Sequence, residues 1–165
     1  MCETGLLSSN PVDELIKTFE PLWRAAAGID LSDAQAAHGA LTARFDPRSD
    51  DARALQAALV ALLAEGRVAD RGEPPVTYSR AARAGEDTCD LSVDVVHMSA
   101  PGPEHRHPRG EVNYCIATDG APTFDGSPPG WVVHPPGSQH VPTVEGGAML
   151  IVYLLPGGEI EFLGA

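Results

Sequence analysis

The stretch "PEHRHPRGEVN", residues 103–113, places two histidines one residue apart and a glutamate four residues after the second. Side chains alternate between the two faces of a strand, so His105 and His107 should point the same way and Arg106 the opposite way. The "PRG" that follows predicts a tight turn, after which Glu111 opens the strand "EVNYCIA" and swings back toward both imidazoles. The segment is therefore either the metal-binding edge of an active site or a polar loop rich in titratable groups.

A second segment, "PPGSQH" at residues 135–140, favours the metal-binding interpretation. It reads as a turn that feeds His140 into a later strand. Three imidazoles and one carboxylate suit a divalent ion, and an incomplete coordination sphere leaves room for water or substrate. The side chains of the two segments could therefore together bind a divalent metal ion, with Fe, Mn, Zn and Ni all open: His105, His107, Glu111 and His140.

Other titratable side chains receive structural roles at this point. His97 and His134 fit neither segment, and His38 lies in a helical region, so all three are predicted to be packed or solvated. Cys115 shares the parity of Glu111 and Asn113, which predicts that these side chains face the same interior.

From about residue 75, the sequence pattern is typical of a small all-β domain. Gly and Pro number 17 and 15 and cluster after residue 100, where they separate short apolar runs. This pattern predicts a closed β-barrel or jelly roll. The runs interpreted as strands are "PPVTYSRAA", "CDLSVDVVHMSAP", "EVNYCIAT", "GWVVHPPG", "GAMLIVYLLP" and "EIEFLGA".

Residues 1–72 are predicted to form a small helical region, and residues 73–165 the β-barrel domain. The first helix should run from "SSNP" and Pro11 to about residue 27, kinked or split by Pro21. The second should begin at the N-cap Ser32, with Gln35 completing a capping box. The third, "DDARALQAALVALLAEG", should end at Gly66. These helices could cap the mouth of the barrel or form a dimer contact, and the sequence leaves both roles open.

Charge and cysteine usage limit the partners and the compartment. Eleven basic residues against 23 acidic ones give a formal charge of −12, which repels phosphate backbones and anionic membranes. We therefore expect neither nucleic acid nor membrane as a partner. The three cysteines, Cys2, Cys89 and Cys115, show no disulfide framework, which favours a reducing cytoplasm. The N-terminus lacks the features of a signal peptide, and the apolar runs are too short to span a bilayer.

The two polar segments resemble the paired motifs of the cupin superfamily, His-x-His-x(3)-Glu followed by Pro-x-Gly-x-x-His. The resemblance covers roughly residues 75–165 and implies a cupin-type barrel in which the four side chains named above are the metal ligands. Two turn positions depart from the pattern. Thr118 stands where the first motif has a glycine, and Val144 where the second has an asparagine.

The whole pattern resembles the 4-hydroxylaminobenzoate lyase family. The resemblance rests on "LSVDVVHMSAPGPEHRHPRGE", on the C-terminal run from "FDGSPPGW" to "GGEIEF", and on the helical N-terminal region. It implies a metal-dependent carbon–nitrogen lyase that turns 4-hydroxylaminobenzoate into 3,4-dihydroxybenzoate and ammonia, with His105, His107 and Glu111 at the reacting centre. Glu111 could be a ligand or an acid–base group. Cupins are often dimers, which implies a homodimer.

A small aromatic carboxylate substrate needs a positive contact in so acidic a protein, and Arg is suited to bidentate carboxylate binding. Arg80 and Arg83 are the candidates, and Arg109 is less favoured because it lies in a turn. Trp131, Tyr78 or Phe124 could stack on the substrate ring or pack in the core. Two other functions stay open: an Fe(II)-dependent cupin dioxygenase acting on a small aromatic or thiol, and a non-catalytic cupin that binds a small molecule.

Overall fold

The computed structural model describes residues 11–163 of the chain. In this part of the chain, helices come first and strands follow, and a single 3₁₀ turn at Glu86–Thr88 lies between the second and third strands. The helices are α1 (Pro11–Thr18), α2 (Glu20–Ala26), α3 (Ala34–Arg44) and α4 (Asp50–Ala64). The strands are β1 (Arg71–Glu73), β2 (Val76–Ala82), β3 (Leu91–Met98), β4 (His105–His107), β5 (Glu111–Phe124), β6 (Gly130–His134), β7 (Ser138–His140), β8 (Val144–Pro156) and β9 (Glu161–Phe162).

The helix starts and stops follow local sequence signals, with one correction. Phe19 separates α1 from α2, and Pro21 lies in the first turn of α2, so the predicted split of the first helix is confirmed. The N-cap of α3 is Asp33, whose side chain accepts a hydrogen bond from the Ala36 amide, and not Ser32 as predicted. Ser32 instead donates both its amide and its hydroxyl to Asp30. The "SSN" expected to cap α1 lies outside the described residues.

Helix α4 behaves as its leucine pattern predicts. The Ser49 side chain caps its N-terminus by accepting a hydrogen bond from the Ala52 amide. Gly66 follows the last helical turn with a φ of +70°, a conformation that favours glycine. Leu55, Leu59 and Leu62 are buried, because they lie on the face that packs against the rest of the protein.

The strands form two sheets. The large sheet has the order β1-β2-β3-β8-β5-β6, with antiparallel neighbours throughout, and the small sheet has the order β7-β4-β9. Strands β5 and β8 are longer than predicted and pair along most of their length, with irregular register between Ala117 and Asp119 and between Gly120 and Thr123. The expected mainly β architecture with N-terminal helices is confirmed.

The large sheet buries a different set of side chains on each face. On the outer face, Val95, Tyr114 and Val152 share a core with helix residues such as Trp23 and Leu59. The helices therefore pack on the outside of the large sheet, which decides against the mouth-capping role. No described helix is both long enough and apolar enough to cross a membrane.

The inner face of the large sheet carries a second cluster, which looks toward the small sheet. Its members alternate along β3, β5, β6 and β8 with those of the outer core, as strand geometry requires. The members are Met98, Cys115, Phe124, Val132, Val144, Met149, Ile151 and Tyr153. Cys115 is a free buried thiol whose pKa burial raises well above its usual value, as its predicted inward parity implies. Cys89 is disulfide-bonded, although the cysteine spacing predicts no disulfide framework.

Candidate metal centre and adjoining cavity

Strand β4 presents the first two histidines. His105 and His107 are buried, whereas Arg106 between them is exposed and forms an ion pair with Glu161, with 2.8 Å between the charged atoms. The predicted alternation along "HRH" is confirmed. The pairing of β4 with β7 sets His105 directly opposite His140, so the short sheet alone brings three imidazoles together.

Two glycine turns return the chain to this strand. Gly110 has a φ of +87° and donates its amide to the His107 carbonyl at 3.2 Å, which lets Glu111 open β5 beside β4. Gly137 has a φ of +80° and donates its amide to the same carbonyl at 2.7 Å, which positions β7. Since both φ values lie in the left-handed region, glycine fits these turns without strain.

The ligand atoms of His105, His107, Glu111 and His140 converge on one point. His140 Nε2 lies 2.9 Å from His105 Nε2 and 3.0 Å from His107 Nε2. Glu111 Oε2 lies 2.6 Å from His107 Nε2 and 3.9 Å from His105 Nε2. Ligands bound at about 2.1 Å from an ion stand about 3 Å apart when they subtend a right angle. The buried group could therefore hold a metal ion.

The electrostatics of this group fit a divalent cation. Glu111 is fully buried, and neither carboxylate oxygen accepts a well-formed hydrogen bond. A buried carboxylate is costly unless a positive charge compensates it. Burial alone would raise the pKa of Glu111. The close contact with His107 and the charges of His107, His134 and His140 outweigh burial and lower this pKa below its usual value. Burial lowers the pKa of His105 to about 4, so this imidazole is neutral at pH 7, as a metal ligand must be.

Two residues that the sequence analysis did not place at the site, Asp125 and His134, also belong to this cluster. Asp125 Oδ2 lies 2.6 Å from His140 Nδ1 and 3.4 Å from His134 Nε2, and its Oδ1 accepts the Thr143 amide at 2.8 Å. Burial would raise the pKa of Asp125, but the hydrogen bonds from His140 and Thr143 lower it, so the carboxylate is ionised.

His134 was expected to be an ordinary packed or solvated residue. It is the cross-strand partner of Glu111, and its ring stacks on that of His107 at 6.1 Å between centroids. Asp125, His134 and His140 form a second group that could hold a metal ion, and His140 belongs to both groups. His97, by contrast, lies near Thr118, with 3.0 Å between its Nε2 and the threonine hydroxyl.

A cavity of about 650 Å³ adjoins the candidate metal-ligand group, which consists of His105, His107, Glu111 and His140, and His105 forms part of the cavity wall. This volume falls in the usual range for small-molecule sites. The wall is mostly apolar, and its apolar side chains include Val76 from β2 and Val96 and Met98 from β3. The wall includes Arg71, Val76, Tyr78, Arg80, Asp94, Val96, Met98, Pro103, His105, Pro142, Tyr153 and Phe162.

Comparison with known proteins identifies the family. Residues 27–162 match the model of the PnbB family, described as 4-hydroxylaminobenzoate lyase. The chain belongs to the 4-hydroxylaminobenzoate lyase family. It is 29% identical over 140 residues to the 4-hydroxylaminobenzoate lyase of Pseudomonas putida, covering 74% of this chain and 80% of that one. It is 31% identical over 97 residues to the lyase of Nocardioides sp. (strain LMS-CY), covering 54% of this chain and 57% of that one.

Solved structures of cupin proteins are among those similar to this lyase-family chain. An RmlC-like cupin protein from Ralstonia eutropha matches with a TM-score of 0.42 at 15% identity, over 56% of this chain and 62% of that one. A cupin-like protein from Thermotoga maritima matches with a TM-score of 0.41 at 18% identity, over 59% of this chain and 86% of that one.

The structure separates the residues that the sequence offered for substrate binding in this lyase-family protein. Tyr78 and Arg80 line the cavity. Arg83 is exposed and does not line it. Trp131 lies on the outer face of the large sheet, where its Nε1 donates to the Phe45 carbonyl at 2.8 Å.

Phe124 and Arg109, two further candidates from the sequence, also lie away from the cavity wall. Phe124 is fully buried in the inner cluster, with its ring 6.1 Å from that of His134. Arg109 forms ion pairs at the surface with Asp90 and Glu159. Of the candidates that the sequence offered, the cavity wall therefore contains Tyr78, Arg80 and His105.

Proposed function

We propose that this chain is a metal-dependent 4-hydroxylaminobenzoate lyase. The reaction combines 4-hydroxylaminobenzoate with one water and yields 3,4-dihydroxybenzoate and ammonia, so it needs no oxidant. Loss of the N–O bond, addition of oxygen at the neighbouring ring carbon and hydrolysis of the resulting C=N bond account for every atom. The proposal extends the family assignment to the reaction, the substrate and the need for a metal.

One observation carries the proposal beyond family membership. His105 belongs to the four-residue group and also forms part of the wall of the cavity, so a molecule in the cavity would meet the metal-ligand group directly. The cavity wall is mostly apolar away from its rim, which suits an aromatic ring. The hydroxylamine end of such a substrate would then lie near the metal-ligand group, and its carboxylate end would lie near the rim of the cavity.

The side chains of this centre suggest distinct roles. A bound divalent cation would act as a Lewis acid toward the departing hydroxylamine oxygen. His105, His107 and His140 would hold that ion, while Asp125 would orient the His140 ring through its Nδ1. Glu111 would either complete the ligand set or move a proton, and its fully buried position is compatible with both roles.

Anaerobic turnover tests the proposal most directly. Purified protein with its own metal should release ammonia and 3,4-dihydroxybenzoate from 4-hydroxylaminobenzoate in oxygen-free buffer. Turnover that requires and consumes O₂ would instead support the Fe(II) dioxygenase. Binding of the substrate without conversion would support the non-catalytic alternative. Metal analysis of the same preparation identifies the ion among Fe, Mn, Zn and Ni.

The proposed assembly is a homodimer. It rests on the cupin resemblance, and light scattering of the metal-loaded protein measures it. A monomer mass would contradict this part of the proposal and leave the catalytic part standing.

A further inference from the structure

Arg71 is an arginine without a partner at the rim of the cavity. Among the arginines of residues 14–163, the guanidinium groups of Arg71 and Arg83 are the two for which the structure shows neither a hydrogen bond nor an ion pair. Arg71 lines the cavity and Arg83 does not. The side chain that is both unpaired and beside the candidate site is therefore Arg71.

The other cationic group of the cavity is already neutralised. Arg80 binds Asp94 through two contacts, Nε to Oδ1 at 2.7 Å and Nη2 to Oδ2 at 3.1 Å. Ser92 donates a further hydrogen bond to the same carboxylate. Because Asp94 neutralises Arg80 and occupies its Nε and Nη2 edge, an anion bound by Arg80 would have to compete with that carboxylate. Arg71 carries no such cost.

Two aromatic side chains flank the same rim. Tyr78 is the cross-strand partner of Arg71, so both project from the same side of the sheet. Its ring lies over Gly72, where an added Cβ would approach Tyr78 Cε1 to 2.9 Å. Phe162, on β9, also lines the cavity, with its ring edge-on to that of His105 at 5.9 Å between centroids. Both rings are largely exposed, at 51% and 66%.

We propose that Arg71 binds the carboxylate of the substrate, with Tyr78 and Phe162 as aromatic walls on either side of the ring. The carboxylate then sits at the rim, and the opposite end of the ring points toward His105 and the metal-ligand group. This inference rests on the proposed function, since it names how that site selects its substrate. The expected class is an aromatic monocarboxylate that carries its reactive group para to the carboxylate.

Binding of an unreactive analogue tests the role of Arg71 without depending on turnover. The probes are 4-aminobenzoate and aniline, which differ in the carboxylate, titrated calorimetrically into metal-loaded protein. Arg71→Met should weaken 4-aminobenzoate binding by about 10- to 100-fold, the range for loss of a charge-assisted hydrogen bond, and leave aniline binding unchanged. Arg71→Lys should restore part of the affinity. Arg83→Met is the matched control, because it removes an unpaired arginine outside the cavity, and it should bind both probes as the unmodified protein does.

Each outcome discriminates. The proposal would be overturned if the unmodified protein did not bind 4-aminobenzoate, or if Arg71→Met bound it as tightly as the unmodified protein does. It would also be overturned if Arg71→Met lost equal affinity for both probes, or if Arg71→Met and Arg83→Met lost equal affinity for 4-aminobenzoate. If the unmodified protein binds the analogue through Arg71 but releases no ammonia from 4-hydroxylaminobenzoate, the carboxylate site stands and the lyase assignment falls. If ammonia is released and Arg71→Met leaves kcat/KM unchanged, the lyase assignment stands and the carboxylate site falls.

Discussion

Replacing Asp125 by asparagine should weaken metal binding through His140, a residue that the substitution does not touch. The Asp125 carboxylate lies 2.6 Å from His140 Nδ1 and therefore holds the ring proton on that nitrogen. Nε2 is then left with its lone pair toward the other three ligands. Asparagine also tolerates the left-handed backbone of position 125, where φ is +49°, so the change alters charge and hydrogen bonding with little backbone strain.

The geometry gives the size of the effect. The Asp125 side chain serves two donors, the Thr143 amide on Oδ1 and the His140 ring on Oδ2, whereas an asparagine offers one oxygen. The amide NH₂ must then face either His140 Nδ1, which moves the ring proton to Nε2, or the Thr143 amide, which leaves that donor unpaired. Loss of such an outer-shell partner costs about 10- to 100-fold in metal affinity, or about 1.4–2.8 kcal/mol.

Chelator competition measures this directly. The apparent metal dissociation constant of Asp125→Asn should rise by about 10- to 100-fold at pH 7. Asp119→Asn is the control, because Asp119 is exposed on β5, the strand that Asp125 follows, and the substitution removes the same charge. If Asp125→Asn bound metal as tightly as the unmodified protein, or if both variants weakened equally, the orienting role of Asp125 would be refuted.

Three further perturbations test the centre. In elemental analysis, His105→Ala and His107→Ala should each sharply reduce the amount of bound metal. His38→Ala, which alters an exposed helical histidine, should leave it unchanged. Full metal occupancy in the variant that carries both His105→Ala and His107→Ala would contradict the ligand assignment. For metal-free protein, the free energy of unfolding should fall as pH drops from about 6.5 to about 4, by up to about 3 kcal/mol from His105. The reason is that, in this pH range, His105 is protonated in the unfolded chain but stays neutral when buried in the folded protein. In urea denaturation, the His105→Asn variant should show a smaller fall in unfolding free energy over the same range. Asn113→Leu should raise the stability of the metal-free protein by about 1–3 kcal/mol, because neither polar atom of this buried amide has a hydrogen-bond partner; a decrease would show that the amide is satisfied.

The sequence predicts the ligand group well because local rules determine most of it. Strand alternation puts His105 and His107 on one face, and "PRG" sets the turn that returns Glu111. The three residues lie within seven positions of one another, so no long-range pairing needs to be known. The cupin resemblance and the "PPGSQH" turn predict that His140 belongs to the same group. In the structure, the pairing of β4 with β7 brings His140 opposite His105.

The residues that the sequence missed depend on register between distant strands. His134 reaches the site because β6 pairs with β5 so that His134 lies opposite Glu111, and that register is not readable from either strand alone. The same register explains the misplacement of Trp131. Residues 131 and 134 have opposite parity on one strand, so an inward His134 requires an outward Trp131.

Asp125 is likewise a product of long-range pairing. It follows the end of β5, which pairs Phe124 with Val144, and this brings the carboxylate to the Thr143 amide and to the neighbouring His140. The misassigned cap of α3 has a different, local cause. Ser32 and Asp33 are both good N-caps, and the Asp30 side chain engages Ser32, which leaves Asp33 to cap the helix.

The two ends of the proposed substrate site differ in how much change they can tolerate. His107 and Glu111 are fully buried, so a substitution there leaves an unpaired buried group or a void and costs stability as well as metal. Arg71, Tyr78 and Phe162 have exposed side chains, and substitutions at such positions usually change stability by less than about 0.5 kcal/mol. The group recognised at the rim can therefore change by single substitutions while the metal-ligand group stays intact. Among proteins with this ligand set, we expect the residue at the position of Arg71 to follow the charge of the substrate.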